Sequence, residues 1–304
     1  MIVDPMTLHS LALFVALADA GSFSIAARRM HTVQSNVTAH IKKLEHELGV
    51  TLFERNGGVR LTPAGHTLMS HARDTLGAHE AALSAFRPSE PPRGVLHLGA
   101  LESTAAVRLP DLLAAFHRRH IEVTLQLTTG TTAELLAGLA AGRLDAAFIA
   151  GERVPADRWT RAAFRESLVL IGAEPLTAMP SAAALAETPF LAFRQGCHYR
   201  ECIERLLARQ GVSGTRIFEL GSIDGILGCV AAGMGYGLMP ASVVAAHRHR
   251  FGIHALPLPA DLGEVTTHLV ATAQHGWSPA LSCFAGMLDD DPPRTRANPA
   301  GVSA

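Results

Sequence analysis

Residues 28–60 hold the densest set of side chains suited to reading a nucleic acid. On a helical projection Gln34, Ser35, Asn36, Thr38, His40, Lys42 and Lys43 are the polar positions, and Val37, Ile41 and Leu44 form the apolar side. Gln and Asn each bond bidentately to an adenine edge in the major groove, while Ser and Thr bond to bases or phosphates. Arg28, Arg29, Lys42, Lys43, Arg55 and Arg60 set six cations against three acids, Glu45, Glu47 and Glu54. Such cations position a protein on phosphates without reading sequence. Any solvated helix also shows a polar face, so the flanking elements must decide between the two explanations.

A second group is spread over the rest of the chain. Ser103 and Thr104, then Gly130, Thr131 and Thr132, then Gly196, Cys197, His198 and Tyr199, then Ser222, each follow a strand-like run and open a helix-like one. Free amides and the helix dipole at such points favour an anion. Arg194 and Arg200 flank the third turn. Singly, each Ser or Thr is a helix cap. Converging on one cleft, the set predicts a pocket for a small carboxylate or similar anion. Cys197, at a helix start beside Arg194, His198 and Arg200, is expected to have a depressed thiol pKa. That opens a redox alternative. Cys202 is five residues on, about one and a half helical turns away, so pairing would require the helix to unwind. An ordinary buried or ligand-lining thiol is the simpler expectation.

Other chemistry is excluded. Gly233-Met234-Gly235-Tyr236-Gly237 follows a helix and precedes a strand, the wrong order for a dinucleotide loop. His79-Glu80 lacks the second histidine of a zinc protease. His247 and His249, with Arg248 and Arg250, read as a basic helix end. The four cysteines, Cys197, Cys202, Cys229 and Cys283, show no CxxC spacing, so no zinc site or disulfide framework is expected. No nucleophile–base–acid set, cofactor motif or metal site is recognised, and the chain is not expected to be an enzyme.

The elements that must position these residues follow from periodicity. Leu8, Leu11, Phe14, Val15 and Ala18 predict a first helix; Ser22 or Ser24 caps a second at 25–30; a third runs over 33–48 and stops at Gly49. Short β-like pieces on either side of Asn56-Gly57-Gly58 predict a hairpin wing. Pro63–Phe86 is a long helix with Met69, Ala72, Leu76, His79, Leu83 and Phe86 spaced as a coiled-coil seam. That seam packs either on its own domain or, as its place between two domains favours, on a second copy. Pro88–Arg93 is a hinge. Beyond it, strands at 95–99, 123–127 and 146–149 alternate with helices, predicting a mainly parallel sheet. A second βα series begins at a strand over 167–172, and segments 266–273 and 280–288 return to the first lobe.

The expected architecture is therefore α/β with an N-terminal winged helix-turn-helix. Residues 1–65 form that unit and 66–91 the linker helix and hinge. Residues 92–288 form a two-lobed domain, with lobe I at about 92–164 and 267–288 and lobe II at about 165–266. Residues 289–304 form a disordered tail. The chain has 304 residues, is 48% hydrophobic and 17% charged, and has a formal net charge of −1. It is thus globular, and DNA binding must rest on a local basic region. The N-terminus lacks a secretion signal. Residues 225–246 carry no charge, but their glycines and Pro240 break the run into shorter elements. A cytoplasmic protein without a membrane partner is expected.

Ser22-Phe23-Ser24-Ile25-Ala26-Ala27, Gln34 to Thr38, Ile41 to Glu45, Leu48 to Arg55 and Leu61-Thr62-Pro63-Ala64-Gly65 resemble the signature of LysR-type transcriptional regulators. The likeness is nearly continuous over about 60 residues. Gly142-Arg143-Leu144-Asp145 and Ala232-Gly233-Met234-Gly235 fit the same family less specifically. The resemblance implies a homodimer or homotetramer on an interrupted inverted repeat in promoter DNA, with a two-lobed effector domain like periplasmic binding proteins. RNA polymerase is a further candidate partner. The implied DNA-contacting set is Ser22, Arg28, Gln34, Ser35, Asn36, Thr38, Ala39, His40, Lys42, Lys43, Arg55 and Arg60. The implied effector set is Ser103, Thr104, Gly130, Thr131, Thr132, Arg194, Gly196, Cys197, His198, Tyr199 and Ser222. Two departures stand out. Family members often carry Arg where this chain has Ala39, a contact that is either missing or supplied by His40. The family usually starts near Met6, which leaves Met1 or Met6 as the start. Besides a ligand-responsive regulator, an α/β enzyme with an accessory DNA-binding unit, a solute-binding protein and a redox regulator acting through Cys197 remain as alternatives. The missing catalytic motif counts against the enzyme and the missing signal peptide against the solute-binding protein.

Overall fold

The computed structural model of the chain describes residues 6–54, 58–86, 91–151 and 158–290. It opens with α1 (Leu8–Ala20), α2 (Phe23–Arg29) and α3 (Gln34–Leu48). The Thr7 side chain caps α1, and Gly21 ends it in the left-handed conformation that suits glycine. Gly49 ends α3 in the same way. Ser22 stands at the N-cap of α2 without a capping side-chain bond. The turn into α3 puts His31 at φ 50°. Leu11, Phe14, Leu17, Ala26, Val37, Ile41 and Leu44 close a core between the three helices.

β1 (Phe53–Glu54) and β2 (Arg60–Leu61) pair antiparallel, Phe53 opposite Leu61. Arg55, Asn56 and Gly57 at the expected wing tip lie outside the described residues. Glu45 ties the wing to α3: its Oε1 accepts the N–H groups of Leu52 at 2.9 Å and Phe53 at 3.4 Å. α4 (Pro63–Ala85) follows. Thr62 Oγ1 caps it by accepting the N–H of Gly65 at 3.0 Å. The expected seam divides along its length. Met69 and Ala72 are buried in the core of α1–α3, and Leu76 packs against it. Leu83 and Phe86 are exposed, Phe86 by 88%. The near half of the seam is therefore used within this chain, because the wing and α1 already cover it.

After the hinge, of which residues 87–90 lie outside the described residues, come β3 (Gly94–Ala100), α5 (Glu102–Val107), α6 (Leu109–Arg119), β4 (Val123–Thr129), α7 (Thr132–Ala140) and β5 (Ala146–Ala150). β3 runs parallel to β4 and β5. Then follow β6 (Trp159–Gly172), α8 (Ala182–Glu187), β7 (Phe190–Ala192), α9 (His198–Arg209), β8 (Ile217–Glu219), α10 (Ile223–Ala231), β9 (Tyr236–Pro240), α11 (Ala241–His247), β10 (His254–Pro257), α12 (Ala260–Gly263), β11 (Glu264–Ala271) and α13 (Pro279–Asp290). Of the tail expected at 289–304, residues 289–290 instead end α13, and the rest lie outside the described residues. One sheet of nine strands runs β4-β3-β5-β11-β6-β9-β7-β8, with β10 pairing β6.

The sheet is mixed rather than mainly parallel. β11 lies antiparallel to both β5 and β6, and β6 antiparallel to β9. β6 is also much longer than the strand expected at 167–172. Its first part, Trp159–Ser167, pairs with β11 in the first lobe, and Leu168–Gly172 pairs with β9 and β10 in the second. The lobes thus share strands. Phe284 of α13 packs edge-on against Phe116 and Phe148, which brings the C-terminal helix back to the first lobe. Residues 225–246 fold as α10, β9 and α11, and no helix among the described residues is long and apolar enough to cross a membrane.

A β-carbon on Gly65 would stand 2.3 Å from the Leu52 carbonyl oxygen and 2.9 Å from Leu61 Cδ2. Gly65→Ala is therefore expected to cost about 1–3 kcal/mol through overpacking. Urea unfolding followed by helical circular dichroism would show it as a lower midpoint. An unchanged midpoint would mean that the α4–wing contact yields without cost.

Candidate functional site

The inner face of α3 is fixed by Val37, Ile41 and Leu44, all buried at 1% exposure or less. Gln34, Ser35, Ala39, Lys42 and Lys43 are exposed on the opposite side, with Arg28 and Arg29 on α2 and Arg60 on the wing also exposed. Three side chains are pre-arranged by local bonds. Ser24 donates to Gln34 Oε1 at 2.9 Å, Asn36 Nδ2 donates to Thr32 Oγ1 at 2.9 Å, and Thr38 Oγ1 donates to the Gln34 carbonyl at 2.9 Å. The Ser24 and Thr32 contacts join α2 and the turn to α3, and sequence periodicity carries no sign of them. His40, the alternative to an arginine at Ala39, is half-buried. It packs edge-on against His9 of α1 at 5.1 Å, and its Nδ1 is buried without a protein partner. Arg55 lies outside the described residues.

Between the lobes is a cavity of about 520 Å3. The first lobe supplies Leu101, Glu102, Ser103, Thr128, Thr129, Gly130, Thr131, Glu134, Leu135, Gly138, Arg143 and Leu144; the second supplies Phe193, Arg194, Cys197, Tyr199, Leu220 and Gly221. Contacts across the cleft hold the lobes together. Ser103 Oγ and Tyr199 Oη are 3.0 Å apart and buried. Glu102 Oε1 accepts the Ile223 N–H at 3.0 Å. Arg108 forms a forked pair with Glu166, which is 6% exposed and also accepts the Ser242 hydroxyl at 2.8 Å. Burial leaves Tyr199 protonated, its pKa pushed well up by desolvation against the downward pull of the Ser103 hydrogen bond.

The cavity gathers part of the expected set: Ser103, Gly130, Thr131, Arg194, Cys197 and Tyr199. Thr104, Thr132, Gly196, His198 and Ser222 stand off its wall. Thr104 is buried in α5, and Thr132 Oγ1 lies 3.3 Å from the Ala150 carbonyl. Ser222 caps α10 by accepting the Gly225 N–H at 3.1 Å. Gly196 sits where the lobes nearly touch; a β-carbon there would be 3.3 Å from Ala133 Cβ. Thr131 both lines the cavity and caps α7 in a reciprocal box with Glu134. Hydrogen bonds from Thr131, backbone first, hold the Glu134 carboxyl below its usual range. Arg143 was absent from the expected set; its place in the wall comes from Gly142, a left-handed turn at φ 62° after α7. Neither the Arg143 nor the Arg194 guanidinium has a hydrogen bond or ion pair among the described residues, although the Arg194 charge reaches Glu134.

The thiol expectation is reversed. Cys197 caps α9, but it is 6% exposed, and burial pushes its pKa up to about 11 against the pull of the Tyr199 and Arg200 amides. Desolvation here outweighs the helix terminus. The depressed thiol is Cys202. Burial raises it, but His198 Nε2 at 3.6 Å and Arg205 NH2 at 3.1 Å lower it further. His198 answers with a raised pKa, chiefly through that same contact. No group of His, Cys, Asp or Glu among the described residues is placed to hold a metal ion.

Residues 8–66 match the family described as bacterial regulatory helix-turn-helix protein, lysR family, and residues 89–292 match LysR substrate binding domain. The HTH-type transcriptional regulator YusT of Bacillus subtilis is 38% identical over 90% of this chain and 92% of its own length. GltR of the same organism is 33% identical over 94% of this chain and 97% of its own. Among solved structures, a full-length OxyR variant from Pseudomonas aeruginosa superposes with a TM-score of 0.78 at 27% identity, covering 94% of each chain. CbnR in complex with its target DNA superposes at 0.57 and 25% identity over 93% of this chain and 99% of that one. A recognition helix with its wing, a 23-residue helix behind it and two lobes on a shared sheet agree with these matches over nearly the whole length: the chain belongs to the LysR-type transcriptional regulators.

Proposed function

We propose that α3 reads promoter DNA and that a small carboxylate or other anion in the inter-lobe cavity switches that reading. Residues 1–65 would bind DNA, 66–91 would assemble two or four copies, and 92–288 would bind the effector. The observation that carries the effector class is the convergence on one cavity of two guanidiniums without partners among the described residues, Arg143 and Arg194, and the N-terminal ends of α7 and α9. Each helix end adds fractional positive charge. Glu102 and Glu134 also line the wall, each with one carboxylate oxygen held by a backbone N–H, and their negative charge counts against the two guanidiniums. A volume of about 520 Å3 suits a small molecule rather than a peptide.

Gel shifts on the DNA upstream of this chain's reading frame test the first half. Affinity is expected to fall linearly on a log–log plot with salt. Gln34→Ala and Asn36→Ala should each cost about 1–3 kcal/mol and relax preference among operator variants, whereas Lys42→Ala should weaken all sequences alike and lower the salt slope by about 1. Equal affinity for every duplex, or unchanged preferences in both variants, counts against the assignment. For the effector half, thermal shifts of the full chain with malonate, succinate, citrate and benzoate should give a concentration-dependent rise in Tm for at least one. Arg194→Gln should weaken that response at least about tenfold, the scale of one lost charge-assisted bond. A response untouched by Arg194→Gln would remove the guanidinium from the site.

A redox reading rests on Cys202 rather than Cys197, because only Cys202 has cationic neighbours at its sulfur. It ranks second, since both sulfurs are buried. In a thiolate absorbance titration the first step should vanish in Cys202→Ser and persist in Cys197→Ser. Mass spectra of peroxide-treated protein that show neither oxidised Cys202 nor a Cys197–Cys202 bridge would end the redox reading.

A further inference from the structure

Helix α4 carries two stripes. Leu68, Met69, Ala72 and Leu76 belong to the core of the DNA-reading unit. Ser70, Arg73, Asp74 and Gly77, spaced i, i+3, i+4 and i+7, lie against the first lobe. Contact on this second stripe is backbone to backbone. A β-carbon on Gly142 would stand 2.6 Å from the Ser70 nitrogen and Cα, and one on Gly77 would stand 2.2 Å from the Gly276 carbonyl oxygen. No side chain larger than hydrogen fits at either point without the helix moving off the lobe.

Arg73 sits in the middle of that stripe with its side chain 12% exposed. Its NH2 donates to Asp19 Oδ1 of α1 at 2.8 Å. Its NH1 lies 2.9 Å from His97 Nδ1 on β3 and 3.5 Å from Asp145 Oδ1, just before β5. Asp145 is itself pinned: Oδ2 accepts the His97 N–H at 2.7 Å, and its own N–H donates to the His97 carbonyl at 2.8 Å. One planar cation thus joins the DNA-reading unit, the linker helix and the first lobe, a fork that the point charge of lysine does not reproduce. Its Nε is buried without a partner. The guanidinium is therefore held only through its two terminal nitrogens, and the arrangement is left short of full satisfaction.

Asp145 also adjoins the cavity. Arg143 and Leu144 line the wall, and Leu144 Cδ1 lies 2.6 Å from where a β-carbon on Gly99 would be and 2.8 Å from one on Gly138. The 142–145 segment is packed too closely to shift at one end alone. Gly142 touches α4, Arg143 and Leu144 face the ligand space, and Asp145 holds Arg73. We propose that Arg73 is the positioning residue that couples the cavity to the DNA-reading unit, through the 142–145 segment on one side and Asp19 on the other. The proposal rests on the DNA-binding reading above. Because coupling between two binding events is reciprocal, DNA occupancy must also be felt at 142–145.

Hydrogen exchange of the full-length chain, with and without saturating duplex from upstream of its own reading frame, tests this. In the wild-type chain DNA should change exchange at residues 142–145 at least about threefold, which needs only a modest coupling. Arg73→Met and Asp145→Asn should each abolish the change while the duplex stays bound, and the double variant should lose nothing more. Arg118→Met, an exposed cation on α6, should keep it. Should Arg73→Met fail to fold, Asp19→Asn cuts the same link at its α1 end. A wild-type chain that binds DNA with no change at 142–145, or an Arg73→Met chain that shows the full change, overturns the coupling. A wild-type chain that retains no duplex at low salt overturns the DNA-binding reading instead, and the coupling with it.

Discussion

A single continuous helix has to serve two neighbours in this molecule, and the rest of the arrangement follows from how it does so. α4 gives one stripe of apolar side chains to the core of α1–α3. Its adjacent stripe is stripped down to glycine, serine and short or forked polar groups, so that the first lobe approaches its backbone. Side chains three and four residues apart share a face, so the two stripes coexist without a kink. The apolar contacts supply most of the stabilisation, while the close backbone approach fixes rotation and register. The far end of the helix, at Leu83 and Phe86, is exposed.

The effector half shows how competing electrostatic terms are resolved by burial. The N-terminal ends of α7 and α9 and two guanidiniums unpaired among the described residues face one cavity, together with the carboxylates of Glu102 and Glu134. The same kind of helix end does not activate Cys197, because removal from water raises its thiol by more than the amides lower it. Five positions further on, at Cys202 in α9, discrete cationic partners at 3–4 Å overcome the same penalty. A dipole spread over several amides and a charge aimed at one atom are unequal opponents of desolvation.

The three helices and α4 were legible because their apolar residues recur at strong helical periods and end at Gly21 and Gly49. The end of β6 was legible as a buried run, but its start was not. Trp159–Ser167 has no regular polar–apolar alternation and pairs only with β11, more than ninety residues away, so no local pattern signals it. The antiparallel return of β11 is invisible for the same reason, and the sheet was expected to be mainly parallel. The cavity turns were legible as helix starts; which of them face the cavity was not. Ser222 and Thr131 have the same local chemistry, yet tertiary placement puts only Thr131 in the wall. Arg73 looked like any helix arginine, since its partners come from three distant segments.

The place of β11 in the sheet has a consequence for synthesis. Residues 264–271 fill the gap between β5 and β6, at the centre of the order, and Gly276 seats Gly77 only a few residues later. A chain emerging from the ribosome completes its DNA-reading core within its first third, whereas the lobes and the docking surface for α4 wait for nearly the last strand. Contacts of such long sequence separation form late and slowly. The inter-lobe cavity and the surface that receives α4 are therefore among the last parts of the described structure that the growing chain can complete.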